Sequence, residues 1–374
     1  MQKNTTLKPY TPVIQTYLRQ LTPPAKNKGI RYSLAQGPSQ VATASTIKEA
    51  ITFNLDTMNT ACSLAAKFDV QLISFPELFL SGYELKSADT AAATAHYLLE
   101  HHFYETGGPI SALAFKYNMA IICPLPYQGV DPAGNPGTYD AALVIDHTGT
   151  LLGVQFKTHL WGTEEYSWFR APAYNMQKSG YDPLQNPYRI FDINGFPVGI
   201  AICYDAEFPE VARCLALNGA LLTVIPTAAP VSMLSGQTEP YPDIALHCIP
   251  ANALHNQNFC SYGNRASWEY SVEGSVQTQV LQYTGNSIIC DPYGSALVKA
   301  VRNEDTLLIA DCIICDFPST QPPETSYLIN RRPDLYNVLT APTVPYPAGE
   351  SYTYMVNQQD PPTPATPNKN RCDR

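Results

Sequence analysis

Short apolar runs alternate with longer stretches of helical spacing from residue 30 onward. Between residues 46 and 68, apolar side chains recur every three or four positions, which predicts an amphipathic helix. Further helices are predicted over residues 91–97, 109–117, 209–218 and 243–256. Strands are predicted over residues 30–36, 70–75, 120–123, 139–146, 151–157, 188–193, 196–203, 221–225, 259–264, 287–291, 296–299 and 306–312.

The order of these elements predicts an α/β fold with mixed sheets. Asn194-Gly195 is a strong hairpin signal, and His147-Thr148-Gly149 indicates a second turn between strands. Hairpins combined with strand–helix–strand units indicate sheets that contain both parallel and antiparallel pairs. We expect an irregular, aromatic-rich loop over residues 161–189 and an insertion over residues 268–283.

We expect three segments: an N-terminal extension (1–29), one domain (30–340) and a proline-rich tail (341–374). The extension has five basic residues and no acidic one, as targeting segments do, but it is not rich in Arg and Ser. An arm packed on the domain or on a partner is the preferred interpretation. Neither terminal segment has the apolar periodicity of a core element.

Composition narrows the classes of function. The net charge of −9 and the absence of a basic stripe argue against nucleic acid as a partner. The sequence has no apolar stretch of membrane-spanning length, so no membrane association is expected. Ten cysteines in 374 residues are too sparse for a disulfide scaffold, which makes a reducing cytoplasmic compartment the default expectation.

Three polar residues stand at the ends of predicted apolar strands. Glu77, Lys157 and Cys203 each suit catalysis there, because sites in α/β sheets gather at the carboxyl ends of strands. A helix beginning just after Cys203 would favour its thiolate. Glu77 suits a general acid or base, and Lys157 an oxyanion donor. Taken singly, each residue also fits a structural role: Cys203 as a buried thiol, Glu77 as a helix cap and Lys157 as a solvated lysine.

Together the three residues lie in motifs that resemble those of the nitrilase superfamily of carbon–nitrogen hydrolases. The motifs are Phe75-Pro76-Glu77-Leu78-Phe79, Phe156-Lys157-Thr158-His159-Leu160 and Ile202-Cys203-Tyr204-Asp205-Ala206. Their order, their spacing and the residues that flank them all match, and the resemblance covers roughly residues 30–340. It implies a four-layer αββα sandwich with two mixed sheets.

The resemblance also implies roles for individual residues. Cys203 would be the nucleophile, Glu77 the general base and acid, and Lys157 the stabiliser of the tetrahedral intermediate. The family uses a second glutamate soon after the lysine, for which Glu164 is the first candidate and Glu165 the next. The backbone N–H of Tyr204 would be a second oxyanion donor.

The same resemblance guides the expectations about ligands and assembly. Tyr83 and Tyr204 are candidates for the wall of the substrate pocket. Neither a metal nor a cofactor is expected. Members of the superfamily usually pair protomers, so a homodimer or a higher homo-oligomer is expected.

The substrate class is narrowed but not fixed. Nitrile-hydrolysing members typically follow the nucleophile with Trp-Glu, whereas this chain has Tyr204-Asp205. A small amide that releases ammonia through a thioester is therefore the first expectation, and an N-carbamoyl amine or amino acid is the alternative substrate. A catalytically inactive binding protein on the same fold is a further alternative, but it should lack one of Glu77, Lys157 and Cys203, and all three are present.

Overall fold

The computed structural model describes residues 9–175, 185–231 and 244–340 and two short strands at 343–345 and 351–353. The helices are α1 (Ile47–Ala66), α2 (Ala88–Glu100), α3 (Pro109–Tyr117), α4 (Gly162–Trp168), α5 (Pro209–Leu217) and α6 (Ile244–Asn256). The strands are β1 (Val13–Tyr17), β2 (Ile30–Gln36), β3 (Leu72–Ser74), β4 (Ala120–Val130), β5 (Pro136–Ile145), β6 (Leu151–Phe156), β7 (Ile190–Ile193), β8 (Phe196–Ile200), β9 (Leu222–Pro226), β10 (Phe259–Gly263), β11 (Ala266–Glu273), β12 (Val276–Thr284), β13 (Ile288–Cys290), β14 (Ala296–Lys299), β15 (Thr306–Cys312), β16 (Thr343–Pro345) and β17 (Ser351–Thr353).

Two mixed sheets form the centre of the molecule. The larger sheet has the order β1-β15-β2-β3-β4-β5-β6, and the smaller has the order β14-β13-β10-β9-β8-β7. In the larger sheet β2, β3 and β4 run parallel, and in the smaller sheet β8, β9 and β10 do so. Antiparallel hairpins complete both sheets.

Alternation along the buried strands creates the layers. Ile30, Tyr32 and Leu34 of β2 pack between the sheets with residues of β8, β9 and β10, whereas Ala35 faces the helices. Helices α1 and α3 cover the outer face of the larger sheet through residues such as Met58 and Ile110. Helices α5 and α6 contribute to a separate cluster on the smaller sheet. The chain thus forms the expected αββα sandwich.

Local sequence explains where several helices begin and end. The Ser87 side chain accepts a hydrogen bond from the Thr90 backbone N–H and so caps α2. Pro109 and Pro209 occupy the first turns of α3 and α5, where a missing N–H costs nothing. Asn118 ends α3 in the left-handed conformation.

The N-terminal segment differs from the expectation that it has no core role. Strand β1 pairs in parallel with β15, with Val13 opposite Thr306. Tyr10 is buried beside it and donates a hydrogen bond to the Thr306 carbonyl at 3.2 Å. The five side chains of β1 are all exposed or only partly buried, without a regular alternation, so the sequence pattern does not distinguish this strand from an irregular arm.

Two further segments are more ordered than expected. Part of the predicted loop at 161–189 forms α4, while residues 176–184 of that loop lie outside the described residues. The predicted insertion at 268–283 is a β-hairpin, β11–β12, that forms its own two-stranded sheet. Within the described part of the chain, no helix combines the length and apolar character needed to cross a bilayer.

Candidate active site

Lys157 follows β6, and its ammonium group is enclosed by three carboxyl groups. Its Nζ lies 2.6 Å from Glu77 Oε1, 2.7 Å from the Glu165 carboxylate and 3.8 Å from Asp140 Oδ2. Burial alone would lower the pKa of Lys157, but Glu165 and Glu77, followed by Cys203 and Asp140, outweigh it and raise that pKa well above its ordinary value. These carboxyl groups therefore favour the charged form of the buried Lys157.

Glu77 reaches Lys157 from the loop that follows β3. Its side chain is fully buried, and its backbone N–H donates to the Thr227 carbonyl at the end of β9, 3.4 Å away. The next residue, Leu78, has a φ of 47°, and its carbonyl accepts a hydrogen bond from Arg265 Nη2 at 3.1 Å. These contacts tie the Glu77 loop to the carboxyl ends of β9 and β10 in the other sheet.

Cys203 follows β8 and begins a short 3-10 helix, Cys203–Glu207. Its φ of 49° lies in the left-handed region, which costs a non-glycine residue roughly 1–3 kcal/mol. The Ala228 backbone N–H hydrogen-bonds to the thiol, which is partly accessible. The surrounding structure therefore holds the Cys203 backbone, and with it the side chain, in a conformation that the isolated chain would avoid.

The thiol environment differs from the expectation of a resting thiolate. Burial and then the Glu77 carboxylate raise the pKa of Cys203 well above its ordinary value, and Lys157 opposes them only in part. The 3-10 helix after Cys203 has only five residues, so the expected helix-end effect is weak. The raised pKa favours the neutral thiol, which needs a base to become a nucleophile.

Asp205 joins the end of the Lys157 strand to the Cys203 turn. Its Oδ1 accepts from Thr158 Oγ1 at 2.6 Å and from His159 N and Nδ1 at 2.8 Å each. Its Oδ2 accepts from the Ile202 backbone N–H at 3.0 Å. The His159 ring stacks on Phe208 with centroids 4.1 Å apart. His159 thus contacts both Asp205 and Phe208 and connects the end of the Lys157 strand to the Cys203 turn.

The second glutamate beside Lys157 is Glu165, not the first candidate Glu164. Both lie on α4, where neighbouring residues point about 100° apart, so only one of them can face the site. Glu165 is fully buried and also accepts from the Trp161 backbone N–H at 2.7 Å, whereas Glu164 is exposed. Burial raises the pKa of Glu165, while Lys157 opposes the rise.

The two tyrosines proposed for the pocket wall have different surroundings. Tyr83 is buried, and its hydroxyl donates to Glu165 at 2.6 Å, so it supports the carboxylate directly. Tyr204 is partly buried and packs edge-on against Phe208, with centroids 5.0 Å apart. Contact of either ring with a substrate stays a prediction.

Glu269 of the β11–β12 hairpin fixes the position of Tyr83. It accepts from the Tyr83 backbone N–H at 3.2 Å and from the Tyr283 hydroxyl at 2.9 Å, and it forms an ion pair with Arg265 Nε, also at 2.9 Å. Sequence reasoning missed this buried network, because Glu269 looks like any polar residue of an inserted loop. Its one visible signal is a carboxylate among the aromatic residues of the segment.

Asp140 is the other member of the site that sequence reasoning missed. It lies in β5, and the Lys157 backbone N–H donates to its carbonyl at 2.9 Å, so the two residues are cross-strand neighbours. The available signal was one charged residue in the apolar run at 139–145. The structure thus brings Glu77, Lys157 and Glu165 together with Asp140, and Cys203 beside them.

Comparisons with known proteins identify relatives of this chain. A sequence profile described as carbon–nitrogen hydrolase matches residues 33–315. A hydrolase encoded in the pqqF 5′ region of Pseudomonas protegens is 31% identical over 272 residues, which cover 73% of this chain and 81% of that protein. An N-carbamoylputrescine amidase of Arabidopsis thaliana is 28% identical over 55% of this chain and 64% of its own length.

A solved structure has the same architecture. The crystal structure of an amidase from Nesterenkonia sp. superposes with a TM-score of 0.58 at 24% sequence identity. The match covers 84% of this chain and 97% of the amidase. At this identity the likeness establishes the fold.

Proposed function

Because the chain belongs to the carbon–nitrogen hydrolase family, we propose that it hydrolyses a small amide and releases ammonia through a thioester on Cys203. Membership of the family establishes a hydrolase that acts on carbon–nitrogen bonds. The observation that supports the finer proposal is the buried Lys157 between Glu77 and Glu165, beside the left-handed turn at Cys203.

In the acylation step, Glu77 takes the proton of the Cys203 thiol while the sulfur attacks the carbonyl carbon. A base is needed because the raised pKa of Cys203 favours the protonated thiol. The tetrahedral intermediate then expels its nitrogen, and the proton now on Glu77 passes to the departing amine to give ammonia. The product on the enzyme is a thioester.

Lys157 suits the role of oxyanion donor in both steps. An ammonium group has three N–H donors, and hydrogen bonds to Glu77 and Glu165 occupy two of them. The third donor remains for the developing oxyanion, together with the Tyr204 backbone N–H. One such donor contributes about 3 kcal/mol to stabilising the transition state.

Deacylation uses the same groups in the reverse order. The ionised Glu77 carboxylate takes a proton from water, whose oxygen attacks the thioester carbon. Collapse of the second tetrahedral intermediate breaks the carbon–sulfur bond and returns a proton to Cys203. The acid product leaves, and the site is restored.

An N-carbamoyl amine is the second candidate substrate. The similarity to N-carbamoylputrescine amidase favours it. Attack of Cys203 on the ureido carbon with loss of ammonia leaves a thiocarbamate. Its hydrolysis gives a carbamic acid, which breaks down to an amine and carbon dioxide.

Ammonia release from a primary amide, an N-carbamoyl amine and a nitrile of equal chain length tests the substrate class. We expect turnover of the amide or the carbamoyl compound to exceed that of the nitrile by at least about tenfold, a difference of roughly 1.4 kcal/mol in activation free energy. Nitrile turnover above the matched amide would contradict the amide proposal. Carbon dioxide release identifies the carbamoyl alternative.

Hydroxylamine tests the thioester separately. It should intercept the acyl group on Cys203 and yield a hydroxamate, which the Cys203→Ala variant should not form. Cys315→Ala is the matched control, because Cys315 is an exposed thiol outside the site. Hydroxamate formation by the Cys203→Ala variant would exclude Cys203 as the nucleophile.

We also propose that the chain forms a homo-oligomer. Large apolar side chains are exposed near α5 and on the segment before residue 341, among them Leu217, Ile329, Leu335 and Leu339. Deleting residues 341–374 should lower the mass measured by light scattering, or lower the melting temperature, before activity changes. An unchanged mass together with unchanged melting would contradict a role of the tail in assembly.

A further inference from the structure

Asp140 is a buried carboxyl group without a hydrogen-bond donor. Among the described residues, no N–H or O–H group donates to either of its side-chain oxygens, and Lys157 Nζ lies 3.8 Å away. Glu77 Oε2 is likewise buried and unpartnered. An ionised carboxylate in such surroundings is costly, so the arrangement requires an explanation.

The charges of the site do not balance if every acid is ionised. Oxygens of Glu77, Asp140 and Glu165 lie within 4.8 Å of one another around the single ammonium of Lys157. Three carboxylates would leave an excess of two negative charges in a fully buried space. Like charges this close do not all ionise, so one of the three acids holds a proton.

Hydrogen bonding identifies which acid holds the proton. Glu77 accepts from Lys157 at 2.6 Å, and Glu165 accepts from Lys157, Tyr83 and the Trp161 backbone N–H. Each of these contacts favours the ionised form of the acceptor. Asp140 has none of them.

We propose that Asp140 is a neutral carboxylic acid in the resting enzyme and donates its proton in a hydrogen bond to Glu77, which makes it a positioning residue for the general base. This proton provides the hydrogen bond that the carboxyl groups of Asp140 and Glu77 otherwise lack. A carboxylate oxygen has two lone pairs, so Glu77 can accept from Asp140 while it also accepts from Lys157. The catalytic part of this inference rests on the role proposed for Glu77.

The groups that face Asp140 support the assignment. They are Glu77 from the loop after β3, Lys157 from the end of β6 and Glu165 from α4. Burial and then Glu77 raise the pKa of Asp140 well above its ordinary value, Lys157 lowers it and Glu165 raises it. With rising pH, Asp140 loses its proton and places a third negative charge beside Glu77. Activity should therefore decline on the alkaline side.

Carbon-13 NMR of wild-type protein labelled at the aspartate carboxyl carbon tests the protonation state without relying on catalysis. At pH 7 we expect one resonance at the position of a neutral carboxylic acid. It should be absent from Asp140→Asn and present in the control Asp146→Asn, which changes an aspartate in the β5–β6 turn. Absence of a neutral-acid resonance from the wild type would overturn the proposal, whether or not the variant folds.

Kinetics test the positioning role. The Asp140→Asn substitution keeps an N–H donor but removes the proton that titrates. This variant should therefore retain kcat within about fivefold and lose the alkaline decline in activity. The Asp140→Ala substitution removes the donor, so it should lower kcat by about 10- to 100-fold. Equal losses in both variants, or an unchanged alkaline limb in Asp140→Asn, would refute the role. If the neutral-acid resonance is present but the Glu77→Gln variant is fully active, Asp140 is protonated as proposed but Glu77 is not the base.

Discussion

The Tyr83 hydroxyl donates a 2.6 Å hydrogen bond to Glu165, the carboxylate that also accepts from Lys157. This contact connects the loop after β3, helix α4 and the end of β6 through buried polar atoms. Glu269 of the inserted hairpin holds the backbone of Tyr83 in turn. The orientation of Lys157 therefore depends on residues outside the set of Glu77, Lys157 and Cys203.

Tyr83→Phe should lower kcat by about 10- to 100-fold, because it leaves a buried carboxylate with one donor fewer. The loss should appear in kcat more than in KM, since the substituted hydroxyl holds Glu165 and not the substrate. Tyr117→Phe is a matched control, because that hydroxyl donates to Asn59 on the far side of the larger sheet. Equal activity of the Tyr83→Phe variant and the control would contradict the dependence.

The two adjacent glutamates of α4 provide a second test. Glu165→Gln should reduce turnover by roughly 10²-fold or more, because removing one partner of a buried ion pair costs about 3 kcal/mol or more. Glu164→Gln should leave kcat and the melting temperature unchanged, because Glu164 is exposed. The reverse pattern would assign the second glutamate to Glu164 after all.

Alkylation of Cys203 should depend strongly on pH. The raised pKa of this thiol means that little thiolate exists at neutral pH, so the rate with iodoacetamide should rise as the solution becomes alkaline. Glu77→Gln removes a negative charge that raises this pKa, so it should lower the pKa of Cys203 and speed alkylation at pH 7. Peptide mapping measures the label at Cys203, and Glu210→Gln serves as an exposed control.

An unchanged labelling rate in the Glu77→Gln variant would mean that Glu77 does not act on the thiol. Slower labelling in that variant would mean that Glu77 acts on the thiol chiefly as a base and not through its charge. Labelling that is already rapid at neutral pH would restore the resting thiolate expected from the sequence.

Asp205→Asn should destabilise the protein and lower kcat together. The amide NH₂ replaces a carboxylate oxygen, so one of the N–H groups that Asp205 accepts from is left facing another donor, which costs about 1–3 kcal/mol. Thermal unfolding and kcat measure the two effects. Asp192→Asn, at an exposed position of β7 whose side chain accepts from the Gly195 backbone N–H, is the control and should change neither. A variant as stable and active as the control would show that Asp205 does not hold the Cys203 turn.

The sequence predicts most elements of the sandwich because their signals are local. The apolar face of α1 and the Asn194-Gly195 turn are each visible in a short window, and both are present in the structure. The motifs around Glu77, Lys157 and Cys203 likewise identify the family. Once the strands are located in the sequence, the catalytic candidates that follow them can be located as well.

The remaining features depend on orientation and on distant contacts. Spacing does not distinguish Glu164 from Glu165, because the choice is made by the rotation of a seven-residue helix. The left-handed backbone at Cys203 and Leu78 has no glycine to mark it. Asp140 and Lys157 become neighbours only when β5 and β6 pair. The charge balance of their cluster depends on burial by the whole fold, which a short sequence window does not predict.

Strand β1 has a consequence for the colloidal behaviour of the protein. Without it, β15 would present an unpaired row of backbone N–H and carbonyl groups at the border of the larger sheet, which is a template for pairing with other chains. Residues 13–17 occupy that border, and Tyr10 anchors them through the Thr306 carbonyl. The five-residue β1 thus replaces the seven-residue β15 as the border strand, and a shorter edge is a poorer template for edge-to-edge aggregation.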